Sequence, residues 1–182
     1  SVELTVEGGK PQVLRFGKPT ILGVGGYDDA AIDRLLHRFK EAHDRLILMH
    51  GFQGYPTREE DAVNGRVTHL RARYGLPIGY ADHVDGGAEE AIRMPEYAVC
   101  AGAEIIEKHL CLDRSAKGYD YYSSLEPAMF KTLVQRLRRC RVFLGSNQVS
   151  EAERAYLTDG ATRAVAARAL SKGEWMLPND VI

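Results

Sequence analysis

The feature that most constrains this sequence is a short apolar run followed by an amphipathic helical pattern, a succession that occurs four times. The apolar runs lie at residues 19–24, 46–49, 77–81 and 104–110. Each is followed by a loop and then by apolar residues spaced i, i+3, i+4 and i+7, the spacing of one helical face. Successive βα units of this kind form a parallel sheet with right-handed crossovers. The sequence therefore predicts an α/β fold over residues 18–149.

Several residues predict where the helices begin and end. Thr57 and Glu60 form a capping-box pattern, which predicts that the second helix starts at Arg58. Gly75 is expected to end that helix in a left-handed conformation. Pro95 is expected to split the third helix, because an interior proline removes a hydrogen bond and clashes with the preceding turn. The buried face of the second helix is predicted to carry four residues, Val63, Val67, Leu70 and Tyr74.

The two ends of the chain do not follow this βα pattern. Residues 1–17 alternate apolar and polar side chains, turn at Gly8-Gly9 and continue into an apolar run at 13–16, which predicts a β-hairpin. The tail, residues 150–182, contains a short strand-like run and a predicted turn at Lys172-Gly173-Glu174. We therefore expect three segments: the hairpin, the βα region and a small C-terminal module.

Composition excludes several classes of function. With 24 basic and 25 acidic residues, the net charge is −1, which argues against a nucleic-acid-binding stripe or a polybasic membrane anchor. The apolar run 46–49 is too short to span a bilayer. Three cysteines without a metal-binding or disulfide spacing (Cys100, Cys111 and Cys140) favour reduced thiols and a cytoplasmic location.

Two histidines lie where the chemistry of an α/β fold is usually found. His83 follows Asp82 at the end of the third predicted strand, and His109 lies at the end of the fourth. Neighbouring parallel strands are only about 4.8 Å apart, so the two imidazoles can converge on one transition-metal ion. Structural histidines held by hydrogen bonds are the alternative. His37, His43 and His69 fit solvated helical faces, and His50 is intermediate between the two cases.

Two carboxylates accompany the histidines. Glu107 precedes His109 by two residues, so both side chains leave the same face of the strand, whereas Lys108 points toward the helices. Asp120 lies in a loop rich in polar and aromatic residues, which suits binding of a hydroxylated substrate.

Four stretches occur in the order of a known family: HGFQGYPT at 50–57, GYADH at 79–83, IEKHLCLDR at 106–114 and SSLEP at 123–127. Together they resemble the sialic acid (N-acetylneuraminate) synthases and their legionaminate, pseudaminate and spore-coat relatives. The resemblance covers about residues 18–182 and implies the C-terminal half of a (β/α)₈ TIM barrel. It also implies that residues 150–182 are a linker and the start of an antifreeze-like (SAF) domain.

The resemblance implies a reaction and its residues. Phosphoenolpyruvate condenses through C3 with the open-chain aldehyde of an N-acylmannosamine-type sugar; water adds at C2, phosphate leaves, and a nine-carbon 2-keto acid results. The implied cofactor is a divalent metal, Mn²⁺ before Mg²⁺ or Zn²⁺, and the implied assembly is a homodimer. The implied site residues are His83 and His109 as metal ligands, Glu107 and Asp120 as catalytic carboxylates, and Gln53, Tyr55 and Asp82 as substrate-binding residues.

Three positions depart from the family pattern. Gly23 and Ala81 stand where serines are usual, and Gln53 stands near the phosphoenolpyruvate site in place of Asn or Ser. These departures support an alternative, a catalytically inactive paralogue that serves as a sugar-binding or scaffold subunit. A different barrel lyase or aldolase with the same metal pair is a third possibility.

A complete TIM barrel needs about 250 residues, and four βα units supply half of its strands. Half a barrel leaves two unpaired sheet edges. The chain is therefore expected to be part of a longer protein, in preference to assembling from two halves or being capped by its N-terminal hairpin.

Overall fold

The computed structural model describes residues 6–7, 10–11, 17–62, 64–145, 147–162 and 164–182. The described strands are β1 (Val6–Glu7), β2 (Lys10–Pro11), β3 (Thr20–Gly23), β4 (Leu46–His50), β5 (Ile78–Asp82) and β6 (Ile105–Lys108). The described α-helices are α1 (Asp29–Arg38), α2 (Gly65–Tyr74), α3 (Glu90–Cys100), α4 (Pro127–Leu144) and α5 (Glu151–Gly160). The chain divides into two units, Ser1–Leu144 and Gly145–Ile182.

A four-stranded parallel sheet organises the first unit. Its strand order is β3-β4-β5-β6, so each strand pairs with the next one along the chain. Leu48 of β4 lies opposite Ile78 of β5, and Gly79 of β5 lies opposite Ile105 of β6. The four predicted strands and their parallel arrangement are confirmed.

The hydrophobic core lies between one face of this sheet and the helices. Successive strand residues face opposite sides, so Leu46 and Leu48 point to the helical layer together with Tyr80. Burying each such side chain contributes roughly 1.5–3 kcal/mol to folding. The opposite face of the sheet is open at Ile21, whose side chain is 50% exposed. Helices therefore cover one face of the sheet, and the other face is exposed at its β3 edge.

Helix α1 begins at a side-chain cap, and helix α2 ends as predicted. Asp28 caps α1 by accepting a hydrogen bond from the backbone N–H of Ala31 at 2.7 Å. Gly75 ends α2 with φ +64°, and its N–H donates to the carbonyl of Arg71. Glycine adopts this left-handed conformation without the steric cost of a Cβ.

The predicted start of the second helix is wrong. Helix α2 begins at Gly65, and residues Glu59–Asp61 form a short 3-10 helix instead. The Thr57 hydroxyl donates back to the carbonyl of Gly54 at 2.9 Å, so it caps no helix. Its backbone N–H donates to the carbonyl of His83, which makes Thr57 a parallel bridge partner of Val84.

The predicted split at Pro95 is also wrong. Helix α3 runs without interruption through Pro95, which is buried. The missing N–H removes one intrahelical bond, but α3 still packs its apolar face, including Ile92, against α4 residues Leu133 and Phe130. Tertiary burial therefore outweighs the local penalty at Pro95.

Described parts of the N-terminal segment form an antiparallel pair. Val6 lies opposite Pro11 and Glu7 opposite Lys10, the arrangement expected of a hairpin. Residues 1–5, 8–9 and 12–16, which include most of the predicted hairpin, lie outside the described residues, as does Val63.

The C-terminal unit contains a helix that the sequence interpretation missed. Helix α5 carries a capping box between Ser150 and Glu153. The expected turn is present, with the N–H of Glu174 donating to the carbonyl of Ser171. Within its described residues, the strand-like run contributes one antiparallel bridge, between Ala166 and Val181. Among the described residues, the structure contains no helix long and apolar enough to cross a membrane.

Candidate functional site

Two imidazoles meet at the carboxyl edge of the sheet. His83 follows Asp82, the last residue of β5, and His109 follows Lys108, the last residue of β6. Asp82 and Lys108 lie opposite each other in the strand pairing, so the two histidines emerge side by side. Their ring centroids are 5.3 Å apart and their planes are inclined by 47°. The structure thus brings together the two histidines that were predicted as a pair.

Hydrogen bonds fix both the ring and the backbone of His83. Its Nδ1 lies 2.6 Å from the carbonyl oxygen of Phe52, so Nδ1–H donates and Nε2 carries the lone pair in the neutral ring. Its own carbonyl accepts from the N–H of Thr57 at 2.8 Å and from the hydroxyl of Ser123 at 2.6 Å. Burial lowers the pKa of His83 below its usual value, which favours the neutral form that binds metals.

Tyr55 and Asp120 complete a cluster around the histidines. The Tyr55 ring centroid lies 4.4 Å from that of His83 and 5.6 Å from that of His109. A carboxylate oxygen of Asp120 lies 3.6 Å from Nδ1 of His109. Two residues from two different loops, Tyr55 after β4 and Asp120 after β6, therefore lie beside the imidazole pair.

Glu107 lies on the same side of the sheet as the histidines. It pairs with Ala81 across the two strands, and its side chain is exposed. Burial raises the pKa of Tyr55, and the negative charges of Asp120 and Glu107 raise it further. Both carboxylates are thus close enough to Tyr55 for their fields to act on its hydroxyl.

Asp82 faces the other side of the sheet, toward the helices. Its carboxylate accepts from Nζ of Lys108 at 2.6 Å and from the Tyr80 hydroxyl at 3.3 Å. Burial raises the pKa of Asp82 and lowers the pKa of Lys108, while the attraction between the two opposes both changes. Lys108 also donates to the carbonyl of Val84 at 3.0 Å, so this ion pair joins β6 to the segment after His83.

The residues at the three departures from the family pattern lie as follows. Gln53 is exposed, and its side-chain amide donates to the carbonyl of Gly51 at 3.4 Å. Ala81 is buried on the strand that leads to His83. Gly23 ends β3 and has open space where a Cβ would stand. Neither Ala81 nor Gly23 supplies a polar group to the site.

The donor set that could hold a metal is a pair of imidazoles. In the part of the chain that the structure describes, no group of three or more His, Cys, Asp or Glu side chains is arranged to hold a metal ion. The free Nε2 lone pair of His83 and the adjacent ring of His109 suit a transition-metal ion that takes its other ligands from water or substrate.

Sequence reasoning missed the residues that hold the cluster in place. Ser123 belongs to the SSLEP stretch, but nothing local shows that its hydroxyl reaches His83. Lys108 was expected on the helical side, yet its pairing with Asp82 depends on the register of two strands. These roles follow from tertiary contacts between loops that are far apart in sequence.

The chain is similar in sequence to several known proteins. The sequence model of the NeuB family matches residues 10–149. The chain is 32% identical over 173 residues to an uncharacterized protein of Methanocaldococcus jannaschii, covering 93% of this chain and 50% of that protein. It is 37% identical over 105 residues to the N,N'-diacetyllegionaminic acid synthase of Legionella pneumophila, covering 58% of this chain and 28% of that enzyme.

The fold comparison leads to the same group of proteins. The crystal structure of an N-acetylneuraminic acid synthetase from Leptospira borgpetersenii, in complex with citrate, superposes with a TM-score of 0.68 at 34% identity. The match covers 78% of this chain and 49% of that one. The chain spans about half the length of the curated relatives it matches. Its four βα units are part of a TIM-barrel-type fold.

Proposed function

The chain belongs to the NeuB family, and from this premise we propose that the complete protein condenses phosphoenolpyruvate with an N-acylated amino-sugar aldehyde. The product is a nine-carbon 2-keto acid of the sialic acid type, and phosphate is released. The observation that carries the proposal is the convergence of His83, His109, Tyr55 and Asp120 at one edge of the sheet. Synthases of legionaminic and pseudaminic acid are among the relatives that the chain resembles.

The metal ligands in this proposal are His83 and His109, with Mn²⁺ preferred over Mg²⁺ or Zn²⁺. The bonded Nδ1 and free Nε2 of His83 support it, because a metal-binding imidazole typically donates its other N–H to a carbonyl or carboxylate. A bound divalent ion would polarise the sugar aldehyde and orient the attacking water. With two protein nitrogens as ligands, the ion would keep coordination positions for the oxygens of the aldehyde and of water.

The carboxylates have separate roles in the proposed site. Glu107 is exposed on the histidine side of β6, where it can accept a proton from water or from a sugar hydroxyl. Asp120 lies beside His109 and can accept hydrogen bonds from sugar hydroxyls. Tyr55, with its raised pKa, keeps its phenolic proton and can donate it to a substrate oxygen.

Asp82 and Gln53 were predicted to bind substrate, and that role stays a prediction. The buried contact of Asp82 with Lys108 supports a role in holding the His83 segment. Gln53 is exposed, and turning toward a ligand would break only its long hydrogen bond to the carbonyl of Gly51 at 3.4 Å. A homodimer and a cytoplasmic location also remain predictions.

The test is phosphate release by the complete protein. With phosphoenolpyruvate, N-acetylmannosamine and Mn²⁺, we expect phosphate and a 2-keto acid in equal amounts, and neither after chelation of the metal. His109→Ala should abolish both products, whereas His69→Ala, which changes an exposed residue of α2, should not. Metal binding without phosphate release from a panel of N-acylated amino sugars would contradict the proposed reaction.

A second candidate function is an inactive sugar-binding or scaffold subunit. It is favoured by Ala81 and Gly23, which supply no hydroxyl where the family usually has serine. Such a protein would bind an N-acylated amino sugar without releasing phosphate. Calorimetric titration with the sugar, run beside the phosphate assay, distinguishes the two functions.

A further inference from the structure

The backbone carbonyl of His83 is a junction between three loops. It accepts the N–H of Thr57 from the loop after β4 and the hydroxyl of Ser123 from the loop after β6. The distances are 2.8 Å and 2.6 Å, and Ser123 is fully buried. The backbone of His83 is therefore held by the loops that follow both neighbouring strands, β4 and β6.

The loop that contains Ser123 is tied to the His83 segment at several further points. One guanidinium nitrogen of Arg114 lies 2.7 Å from the Asp85 carboxylate, and Nε of Arg114 donates to the carbonyl of Tyr121 at 3.2 Å. The N–H of Gly86 donates to the carbonyl of Tyr122 at 2.7 Å. A Cβ at Gly86 would collide with the backbone of Ser124, so the approach of the two segments requires glycine.

The same loop presents Asp120 in an unusual backbone conformation. Asp120 has φ +57°, in the left-handed region that side-chain-bearing residues seldom adopt. Its carbonyl accepts from the N–H of Ser123 at 3.2 Å and from the hydroxyl of Ser124 at 2.8 Å. Strained residues of this kind persist where the surrounding contacts fix them, often at functional sites.

We propose that Ser123 is a positioning residue that couples metal binding at His83 and His109 to the order of loop 114–124. Its buried hydroxyl joins the carbonyl of His83 to the segment that holds Asp120 beside His109. The inference rests on the proposed function, because it requires that the histidine pair binds a metal. Coupling of this kind is reciprocal. If the ordered loop increases the affinity for the metal, bound metal should stabilise the ordered loop by the same free energy.

Substitution of Ser123 should lower the affinity for the metal, although both histidine ligands remain in place. Outer partners of metal-binding histidines typically change metal affinity by about 10–100-fold. Ser123 contacts the backbone of His83 and leaves both rings intact, so the lower end of that range applies. Ser123→Ala should weaken Mn²⁺ binding about tenfold, and Ser123→Thr, which restores a hydroxyl, should recover most of it.

Calorimetric titration of the protein with Mn²⁺ tests the affinity, and limited trypsin digestion tests the loop. Lys117 lies in loop 114–124, is exposed and offers a cleavage site. In the wild type, Mn²⁺ should slow cleavage after Lys117, and in Ser123→Ala this protection should largely disappear. Thr20→Val is the control, since it removes a buried hydroxyl that bonds the carbonyl of Lys18 at the start of β3, outside loop 114–124. It should keep wild-type Mn²⁺ affinity.

The outcomes separate this inference from the proposed function. If the wild type binds no Mn²⁺, the proposed metal site is wrong. If the wild type binds Mn²⁺ and folded Ser123→Ala binds it within twofold, or Thr20→Val loses as much, the coupling is overturned. Should Ser123→Ala fail to fold, Arg114→Lys serves instead, because it keeps the charge but loses the forked contacts to Asp85 and Tyr121. Unchanged metal protection of Lys117 in that variant also overturns the coupling.

Discussion

Lys108 and Asp82 form an ion pair across two neighbouring strands, with Nζ 2.6 Å from the carboxylate and side-chain exposures of 1% and 0%. Each residue directly precedes a histidine of the proposed metal site. The pair lies on the helical side of the sheet, while the imidazoles emerge at its carboxyl edge. It therefore fixes the relative positions of the two strand ends.

Removing one partner of this ion pair should strongly destabilise the protein. Lys108→Met leaves the Asp82 carboxylate buried without its cation, which typically costs about 3–5 kcal/mol. Urea unfolding followed by circular dichroism measures the change. Arg93→Met is the control, because its ion pair with Glu89 is exposed and should contribute less than about 1 kcal/mol. A Lys108→Met protein as stable as the control would show that the buried pair does not hold the strands.

The C-terminal unit should lose stability in acid. Two nitrogens of Arg168 donate to the two carboxylate oxygens of Asp180 at 2.6 Å and 3.0 Å, and this holds the pKa of Asp180 below its usual value. An acid whose pKa is lower in the folded state stabilises that state above its unfolded pKa. The contribution is lost as pH falls below about 4 and through the folded pKa.

Hydrogen exchange measures this loss locally. The N–H of Ala167 donates to the carbonyl of Asp180, so its protection factor should fall as Asp180 is protonated. Asp180→Asn should show low protection that no longer depends on pH between about 3 and 6. Equal pH dependence in the variant and the wild type would contradict this role of Asp180.

Glu107 should matter more to turnover than to substrate binding. If it transfers a proton in the reaction, Glu107→Gln should lower kcat by about 10²-fold or more, with a smaller change in KM for the sugar. Asp120→Asn should mainly raise KM for the sugar, because Asp120 is proposed to bind hydroxyls. Steady-state kinetics of the complete protein with varied sugar distinguishes the two patterns. A normal kcat in Glu107→Gln would show that Glu107 does not transfer the proton.

The sequence predicted those features that depend on local periodicity. The four strands follow from short apolar runs, and the histidine pair follows from the rule that parallel strands place their carboxyl ends at one edge. Tyr55 was expected at the site from the family resemblance alone, and Asp120 from the resemblance and from its polar, aromatic loop. The structure brings both next to the imidazoles.

Other features depend on partners that a local pattern cannot reveal. Thr57 has the spacing of a helix cap, but its N–H is taken by the carbonyl of His83, and the helix starts later. Pro95 has the character of a helix breaker, yet packing of α3 against α4 keeps the helix intact. The capping box between Ser150 and Glu153 is a local sequence signal that indicates the start of α5, although the strand-like run that follows masks it.

Titration of the protein with Mn²⁺ tests the central claim, that His83 and His109 form a metal site, most directly. Isothermal calorimetry on the metal-free wild type should show one bound ion per chain, and His83→Ala and His109→Ala should each weaken binding at least about 10²-fold. His69→Ala, an exposed histidine on α2, should bind as the wild type does. Equal Mn²⁺ affinity in the wild type and both site variants would contradict the account.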